Sequence, residues 1–310
     1  MKEIINFYYN FYVEEMEEHN NYCYFSYYGE DFYFAFLNRS EEELNELVDI
    51  SDELRLKNIK VHDIILNRDK KIITKVNEKP YVMLKINGLK TKNITFLEIV
   101  ENINKLKLNK KNSNLYRNNW SNLWSDKVDY FEYQIKEIGK NKKVILDSFS
   151  YYIGLAENSI SYVNKVNSIF SITENDNIVL SHRRIFYPNI ALNYYNPLSF
   201  IFDLEVRDVA EYLKISFFNG NDSLLDLITF LKTKRLTNYS YHLLYARLLY
   251  PSYYFDIYEN IMNNNEDDIE KLIYIINRVN DYEQFLKLAY LEINKYTSLE
   301  KIDWIIKKEL

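Results

Sequence analysis

The first 87 residues carry apolar patterns that predict a small β-rich region. Aromatic β-forming residues fill 22–28 and 32–37, and the Gly29-Glu30-Asp31 sequence between them predicts a hairpin. Ser40 is followed by three glutamates and then by apolar residues at helical spacing, which predicts an N-capped helix of roughly four turns. Three further strands are predicted, at 59–66, 71–76 and 81–86. This order of elements predicts a small antiparallel sheet that carries one helix.

From residue 88 onward the apolar residues repeat about every 3.6 positions, which is typical of helices. Helices are predicted at 95–106, 120–138, 147–166, 204–218, 223–231, 239–250, 267–279, 281–296 and 298–310. The predicted fold class is therefore α+β, with a small antiparallel β lobe at 1–87 and a larger, mainly α-helical lobe at 88–310.

Glycine, cysteine and histidine are scarce, and their scarcity excludes several kinds of chemistry. The chain has 5 Gly among 310 residues, which rules out phosphate-binding loops that need several glycines within a few positions. The single cysteine excludes a disulfide framework and a thiolate zinc site. With 4 scattered histidines as well, no metal site is expected from composition.

Charge and apolar runs limit the partners and the compartment. The 39 basic and 45 acidic residues give a net charge of −6, so no nucleic-acid partner is expected, because phosphate neutralisation needs clustered Lys and Arg. No apolar run approaches the ~18 residues of a membrane span, and the N-terminal stretch lacks the features of a signal peptide. A cytoplasmic location is the expectation.

The helical pattern is interrupted at 171–203, the stretch that looks most like a functional site. A short strand is predicted at 178–180, and Ser-His-Arg-Arg-Ile-Phe-Tyr-Pro-Asn-Ile follows from residue 181. A second short strand at 199–202 leads into Asp203, and a helix opens around Asp208.

This stretch resembles the catalytic loop H-G-D-L-H-P-G-N-I-L of the aminoglycoside-phosphotransferase and choline-kinase-like branch of the protein-kinase fold. Placed on this chain without a gap, His182 takes the first His and Asn189 takes the loop Asn. Arg184 falls at the catalytic Asp, and Phe186 at the second His. The order of elements before residue 87 is similar to that family's nucleotide lobe, so the resemblance implies a two-lobed, protein-kinase-like fold with a degenerate catalytic loop at 178–203.

Two further segments, 151–163 and 203–214, resemble the spore-coat-associated members of this branch in endospore-forming bacteria. The resemblance implies spore coat proteins as partners, with synthesis in the mother-cell cytoplasm and a final location in the coat. It also implies ATP and Mg as the ligands of an intact site.

Several parts of a phosphotransferase are missing or displaced. Arg184 stands where the catalytic carboxylate would be, and a guanidinium cannot act as a general base. The strand at 32–37 contains no Lys to hold phosphates, and Arg39 is the first basic residue after it. For the metal-binding Asp, spacing favours Asp203, whereas reading 203–208 as the family's later segment would leave Asn196 near the metal position. Both placements stay open.

Each candidate residue also has a structural interpretation. His182 is expected to buttress the loop by hydrogen bonding, and Asn189 to serve the metal or to cap a turn. Arg183 and Arg184 either bind a phosphate or an acidic partner, or are a pair of surface arginines, or include one that forms an ion pair with Asp203 or Asp208. Asp208 is expected to be structural, by capping its helix or fixing the loop backbone.

Three hypotheses follow from the sequence. The first is a catalytically impaired, kinase-like (pseudokinase) protein of the spore coat or its assembly, acting through protein contacts. The second is an active ATP-dependent phosphotransferase on a small metabolite or a coat protein, with a relocated carboxylate such as Glu205 or Asp203. The third is an unrelated helical interaction protein.

Overall fold

A computed structural model describes residues 1–19, 22–87, 94–105, 112–138, 142–185, 194–263 and 268–307. The chain forms two compact units. The first unit contains Met1–Ile94, Asn112–Leu115 and His182–Ile201, and the second contains Thr95–Lys111, Tyr116–Ser181 and Phe202–Leu310. The predicted division of the chain at residue 87 stays a prediction, since residues 88–93 lie outside the described residues.

The first unit is built on an antiparallel sheet, as the sequence predicted. Its strands follow the order β1-β2-β3-β6-β4, and β5 also pairs with β6. Among the described residues of this unit two α-helices accompany the sheet, of which the first, near the N-terminus, was not predicted. The elements are α1 (Lys2–Tyr9), β1 (Glu17–Glu18), β2 (Tyr22–Tyr27), β3 (Glu30–Phe36), α2 (Glu41–Leu56), β4 (Asp63–Ile65), β5 (Ile73–Val76) and β6 (Lys79–Lys85).

Two tight turns set the register of this sheet. Tyr28 and Gly29 both have positive φ, 49° and 78°, and join β2 to β3 in a two-residue hairpin with Tyr27 opposite Glu30. Asn77 and Glu78, with φ of 49° and 63°, make the second turn, so β6 begins at Lys79 rather than at the predicted residue 81.

Strand β4 is shorter than the predicted 59–66 because the chain before it bonds elsewhere. The His62 amide donates to the carbonyl of Tyr195 at 2.9 Å, and the His62 Nδ1 accepts from the amide of Asn87 at 3.1 Å. Pairing with β6 therefore starts at Asp63. The core on one face of the sheet is aromatic and aliphatic: Ile5, Tyr9, Val13, Cys23, Phe25, Phe32, Phe34, Val76 and Met83.

The second unit is helical, and its helices fall close to the predicted positions. The segment after Pro251 is an additional helix, and the predicted helix at 298–310 is reduced to one turn among the described residues. The helices are α3 (Phe96–Lys105), α4 (Trp120–Ile138), α5 (Lys143–Ile169), α6 (Val206–Phe218), α7 (Ser223–Thr233), α8 (Asn238–Leu249), α9 (Ser252–Met262), α10 (Ile269–Asn277), α11 (Val279–Ile293) and α12 (Asp303–Ile306).

Helix α8 is the centre of this unit, because every residue from Tyr239 to Leu249 is buried. It packs against α5, α6 and α11. Two short strands, β7 (Ile178–His182) and β8 (Phe200–Leu204), pair with each other at the positions where the sequence predicted strands. An α+β chain with a small antiparallel sheet and a larger helical part is confirmed.

Candidate functional site

His182 ends β7 and is held on both its ring and its Nε2 atom. Nε2 lies 2.8 Å from the carbonyl oxygen of Tyr194, and because a carbonyl only accepts, Nε2 carries the hydrogen. The imidazole stacks on the Tyr194 ring at 4.2 Å and meets the Phe200 ring edge-on at 5.3 Å. The side chain is buried. These contacts suit a histidine that fixes the ends of its own loop.

The two arginines that follow, Arg183 and Arg184, are both half-buried. Arg183 donates from Nη1 to the carbonyl of Asn38 at 3.0 Å, and its Nη2 lies 3.8 Å from Glu43 Oε2. Its backbone amide donates to the carbonyl of Ser199 at 2.7 Å. Asn189 and Phe186 lie outside the described residues.

Arg39, the first cation after β3, is committed to backbone carbonyls. Its Nε and Nη2 donate to the carbonyl of Leu198 at 3.1 and 2.8 Å, and Nη2 also donates to that of Phe200 at 2.6 Å. The side chain is 1% exposed. A guanidinium fixed in this way holds the 198–200 segment within the first unit.

Glu43 joins the two arginines to the start of α2. Its carboxylate lies 3.5 Å from Arg39 Nη1 and 3.8 Å from Arg183 Nη2. It also completes the predicted N-cap, since Ser40 Oγ accepts from the Glu43 amide and Glu43 Oε2 accepts from the Ser40 amide. We call Arg39, Glu43 and Arg183 the arginine–glutamate clasp.

Asp203, the residue that spacing placed at the metal position, lies in the second unit between two guanidinium groups. Its Oδ2 accepts from Arg247 Nη2 at 2.7 Å and from Arg207 Nη1 at 3.3 Å. Its Oδ1 accepts from the Leu204 amide at 2.7 Å, and the residue is 1% exposed. The Trp120 ring covers both cations, with its centroid 4.1 Å from Arg207 Cζ and 4.5 Å from Arg247 Cζ. We call these four side chains the Asp203 cage.

Burial dominates the electrostatics of the cage. It raises the pKa of Asp203 above its ordinary value, and the Arg247 and Arg207 cations act in the opposite direction. Burial together with the neighbouring Arg247 cation lowers the pKa of Arg207 to about 10. The pKa values of Asp203 and Arg207 therefore depend on burial and on their charged neighbours, which is typical of a structural ion-pair cluster.

The other carboxylate and amide candidates are also engaged. Glu205 is buried and accepts from Asn177 Nδ2 at 2.6 Å and from Lys234 Nζ at 3.2 Å. Asn196 Oδ1 accepts from the Leu198 amide at 2.9 Å and caps a short 3-10 turn, Pro197–Ser199. Asp208 is buried in the first turn of α6.

A divalent metal ion of the kind that phosphotransferases use needs several oxygen ligands around one point. Across the parts of the chain that the structure describes, no group of three or more His, Cys, Asp or Glu side chains could hold a metal ion. The Asp203 carboxylate, enclosed by two guanidinium groups, does not fit the role of such a ligand.

Sequence reasoning missed the partners that define the cage. Arg247 and Trp120 both lie far from Asp203 along the chain, Arg247 by 44 residues. One signal was present: Arg247 is a lone cation in the apolar stretch 243–250, and a buried arginine requires an acidic partner.

No helix among the described residues is long and apolar enough to cross a bilayer.

Solved structures define the class of fold. An aminoglycoside phosphotransferase from Alicyclobacillus acidocaldarius has a TM-score of 0.59 at 9% identity, over 93% of this chain and 94% of that one. A spectinomycin phosphotransferase in complex with ADP and spectinomycin has a TM-score of 0.57 at 12% identity, over 94% and 97%. The chain thus has the kinase-like fold of aminoglycoside phosphotransferases, which confirms the predicted fold.

Sequence comparison then gives the family. Residues 2–289 match the family described as "Spore coat putative kinase YutH", and the chain belongs to this family. The endospore coat-associated protein YutH of Bacillus subtilis strain 168 is 28% identical over 210 residues, which span 61% of this chain and 61% of that relative's length. The predicted resemblance is confirmed, and the hypothesis of an unrelated helical interaction protein was wrong.

Proposed function

We propose that this chain is a catalytically impaired, kinase-like protein of the spore coat, or of its assembly, that acts through protein contacts. The Asp203 cage carries the proposal. A carboxylate that accepts from two buried guanidinium groups and a backbone amide has no room for a magnesium ion unless Arg247 or Arg207 leaves. On this proposal the cage stabilises the packing of β8, α6 and α8.

The other expected parts of a phosphotransferase support the same conclusion. The gap-free placement puts Arg184 at the catalytic Asp, and its guanidinium cannot accept the proton of an acceptor hydroxyl. Arg39 is the first basic residue after the strand that lacks the phosphate-binding Lys, and its guanidinium donates to the carbonyls of Leu198 and Phe200. Phosphoryl transfer depends on positioned charges, so losing several of them together removes the basis of catalysis.

The family and its Bacillus subtilis relative, which is named for its association with the endospore coat, support a location in the coat. We place the chain first in the cytoplasm of the mother cell and then in the coat, with other coat proteins as its partners. ATP and Mg are the ligands that the fold suggests, since one neighbour was solved with ADP and another, an amicoumacin kinase, with AMP-PNP and Ca²⁺. No nucleic-acid partner is proposed.

Isothermal titration calorimetry with ATP tests the proposal, run once with magnesium and once with EDTA. Because Asp203 is occupied by arginines, we expect no magnesium-dependent gain in affinity at ATP concentrations up to about 1 mM, a concentration that detects binding near −4 kcal/mol. Circular dichroism of the same sample verifies that the protein is folded.

The competing hypothesis, an active phosphotransferase with a relocated carboxylate, predicts the opposite result. Magnesium would then tighten ATP binding, and Glu205→Gln would abolish the gain. Asp129→Gln, at an exposed position on α4, is the matched control and should leave the titration unchanged under either hypothesis. Magnesium-dependent binding that is sensitive to Glu205 or Asp203 would overturn the proposed function.

A further inference from the structure

A groove runs along the outer edge of the sheet in the first unit, between residues 12–17 and the second half of β2. It encloses about 670 Å³. Tyrosine and glutamate side chains dominate its walls: Tyr12, Glu14, Glu15, Glu17, Tyr27 and Tyr28. We call it the tyrosine–glutamate groove. Neither the candidate catalytic loop nor the Asp203 cage contributes to it.

The groove exposes part of a strand edge. β1 pairs with β2 through Glu18 opposite Cys23 and Glu17 opposite Tyr24. Among the strands that the structure describes, residues 25–27 therefore pair only with β3. An unpaired edge of this kind can accept an extended segment by main-chain hydrogen bonding.

The charge of the groove selects the kind of segment. Glu14, Glu15 and Glu17 are all exposed, and no Lys or Arg stands among the described residues that line the groove. Phosphate or nucleic acid would be repelled by three carboxylates, whereas a lysine or arginine would be attracted.

Two tyrosines at the groove strengthen the preference for a cation. Tyr12 is 80% exposed and Tyr28 is 90% exposed, the largest exposed fractions among the tyrosine side chains that the structure describes. An aromatic face attracts an ammonium or guanidinium group, and tyrosine side chains are enriched at protein interfaces. Exposed rings beside carboxylates thus form a surface suited to a basic peptide.

We infer that the tyrosine–glutamate groove binds an extended, lysine- or arginine-bearing segment of a partner protein, which adds to the sheet beside β2. This inference rests on the proposed function in one respect: it names the chemistry of the protein contacts through which the chain acts. The carboxylates supply the attraction, the strand edge supplies the direction, and the tyrosines cover the stems of the basic side chains.

Fluorescence anisotropy with a labelled peptide of alternating Lys and Val tests the inference on the full chain, without nucleotide. The triple variant Glu14→Gln, Glu15→Gln, Glu17→Gln should bind the peptide about tenfold more weakly, because three attractions are lost. A peptide of alternating Glu and Val should not bind. Salt should weaken binding of the basic peptide, since these charges are exposed.

A charge-matched control separates the groove from the overall acidity of the chain. The variant Asp126→Asn, Asp129→Asn, Glu137→Gln removes three exposed carboxylates from α4. It should change the affinity by less than about twofold. Equal losses in the two triple variants, or no binding of the basic peptide to the wild type, would overturn the inference.

A second pair of variants tests the aromatic contribution. Tyr12→Ala with Tyr28→Asn should weaken binding severalfold, and Asn is chosen because it tolerates the left-handed backbone at position 28. Tyr130→Ala with Tyr133→Ala, exposed on α4, is the control. If these binding tests fail, the inference about the groove is wrong, but the proposed function is unaffected. If a separate assay detects phosphate transfer, the proposed function is wrong, but the peptide-binding result can still be interpreted.

Discussion

The substitution Asp203→Asn tests whether this residue serves the fold or a metal ion. The amide keeps the shape of the carboxylate but removes its charge from between Arg247 and Arg207. It also turns either an NH₂ donor or a single neutral oxygen toward an Arg247 Nη2 that now lies 2.7 Å from Oδ2. Two buried guanidinium groups would then lack their shared counter-ion.

The expected loss is large because every partner in the cage is buried. Breaking a buried ion pair by removing one charge costs about 3–5 kcal/mol. For a chain of this size, where 1 kcal/mol moves the melting temperature by roughly 2 °C, the midpoint should fall by about 6–10 °C. If Asp203 were instead a metal ligand outside such an ion-pair network, its substitution would change the free energy of unfolding by only about 0.5 kcal/mol.

Urea denaturation followed by tryptophan fluorescence measures the change, since Trp120, one of 3 tryptophans in the chain, covers the cage. Asp129→Asn on the exposed face of α4 is the control and should stay within about 0.5 kcal/mol of the wild type. The reasoning is refuted if Asp203→Asn unfolds like the wild type while it abolishes magnesium-dependent ATP binding.

Three further predictions concern the folds of the two units. Arg39→Lys should lower the free energy of unfolding by ~2–3 kcal/mol, because one ammonium group cannot bond to both carbonyls and to Glu43. The control, Arg55→Lys at an exposed position, should change the free energy of unfolding little. Equal effects of the two substitutions in urea titrations would contradict this prediction. Burial lowers the pKa of His242, so the unfolded chain binds a proton more readily than the folded chain does. As the pH decreases below ~6.5, the free energy of unfolding should therefore decrease, by at most ~1.4 kcal/mol per pH unit. His242→Phe should flatten this pH dependence, and an unchanged slope would disprove the prediction. Gly29→Ala should lower the free energy of unfolding by ~1 kcal/mol, because the backbone φ at this position is 78°. Gly154→Ala in α5 should raise it by ~0.5–1 kcal/mol. Thermal melts of both variants test the prediction, and shifts of the melting temperature with the same sign would contradict it.

Local signals predicted most of the fold. The hairpin at Gly29 and the helix N-cap at Ser40 depend on neighbours within a few residues, and both were confirmed. Elements whose limits depend on distant partners were less accurate. The predicted strand at 59–66 shortened because His62 bonds to Tyr195, and α1 was not predicted because its apolar face is defined by the sheet beneath it.

The candidate site divides in the same way. The sequence placed His182 just after one short strand and Asp203 at the end of another, whereas β7 extends to His182 and β8 continues past Asp203 to Leu204. The sequence could not predict that Arg247 pairs with Asp203 or that Glu43 pairs with Arg183, because ion pairs between residues far apart along the chain produce no periodic pattern. A lone buried arginine in an apolar helix was the available clue, and its partner became visible only in three dimensions.

Transfer of the γ-phosphate of radiolabelled ATP, with magnesium, to water, spectinomycin and a spore coat extract is the most direct measure of the central claim. We predict no transfer above a protein-free blank for the wild type, nor for Arg184→Asp, because restoring one carboxylate leaves Asp203 enclosed by its arginines. Magnesium-dependent transfer by the wild type that Glu205→Gln or Asp203→Asn abolishes would contradict the account.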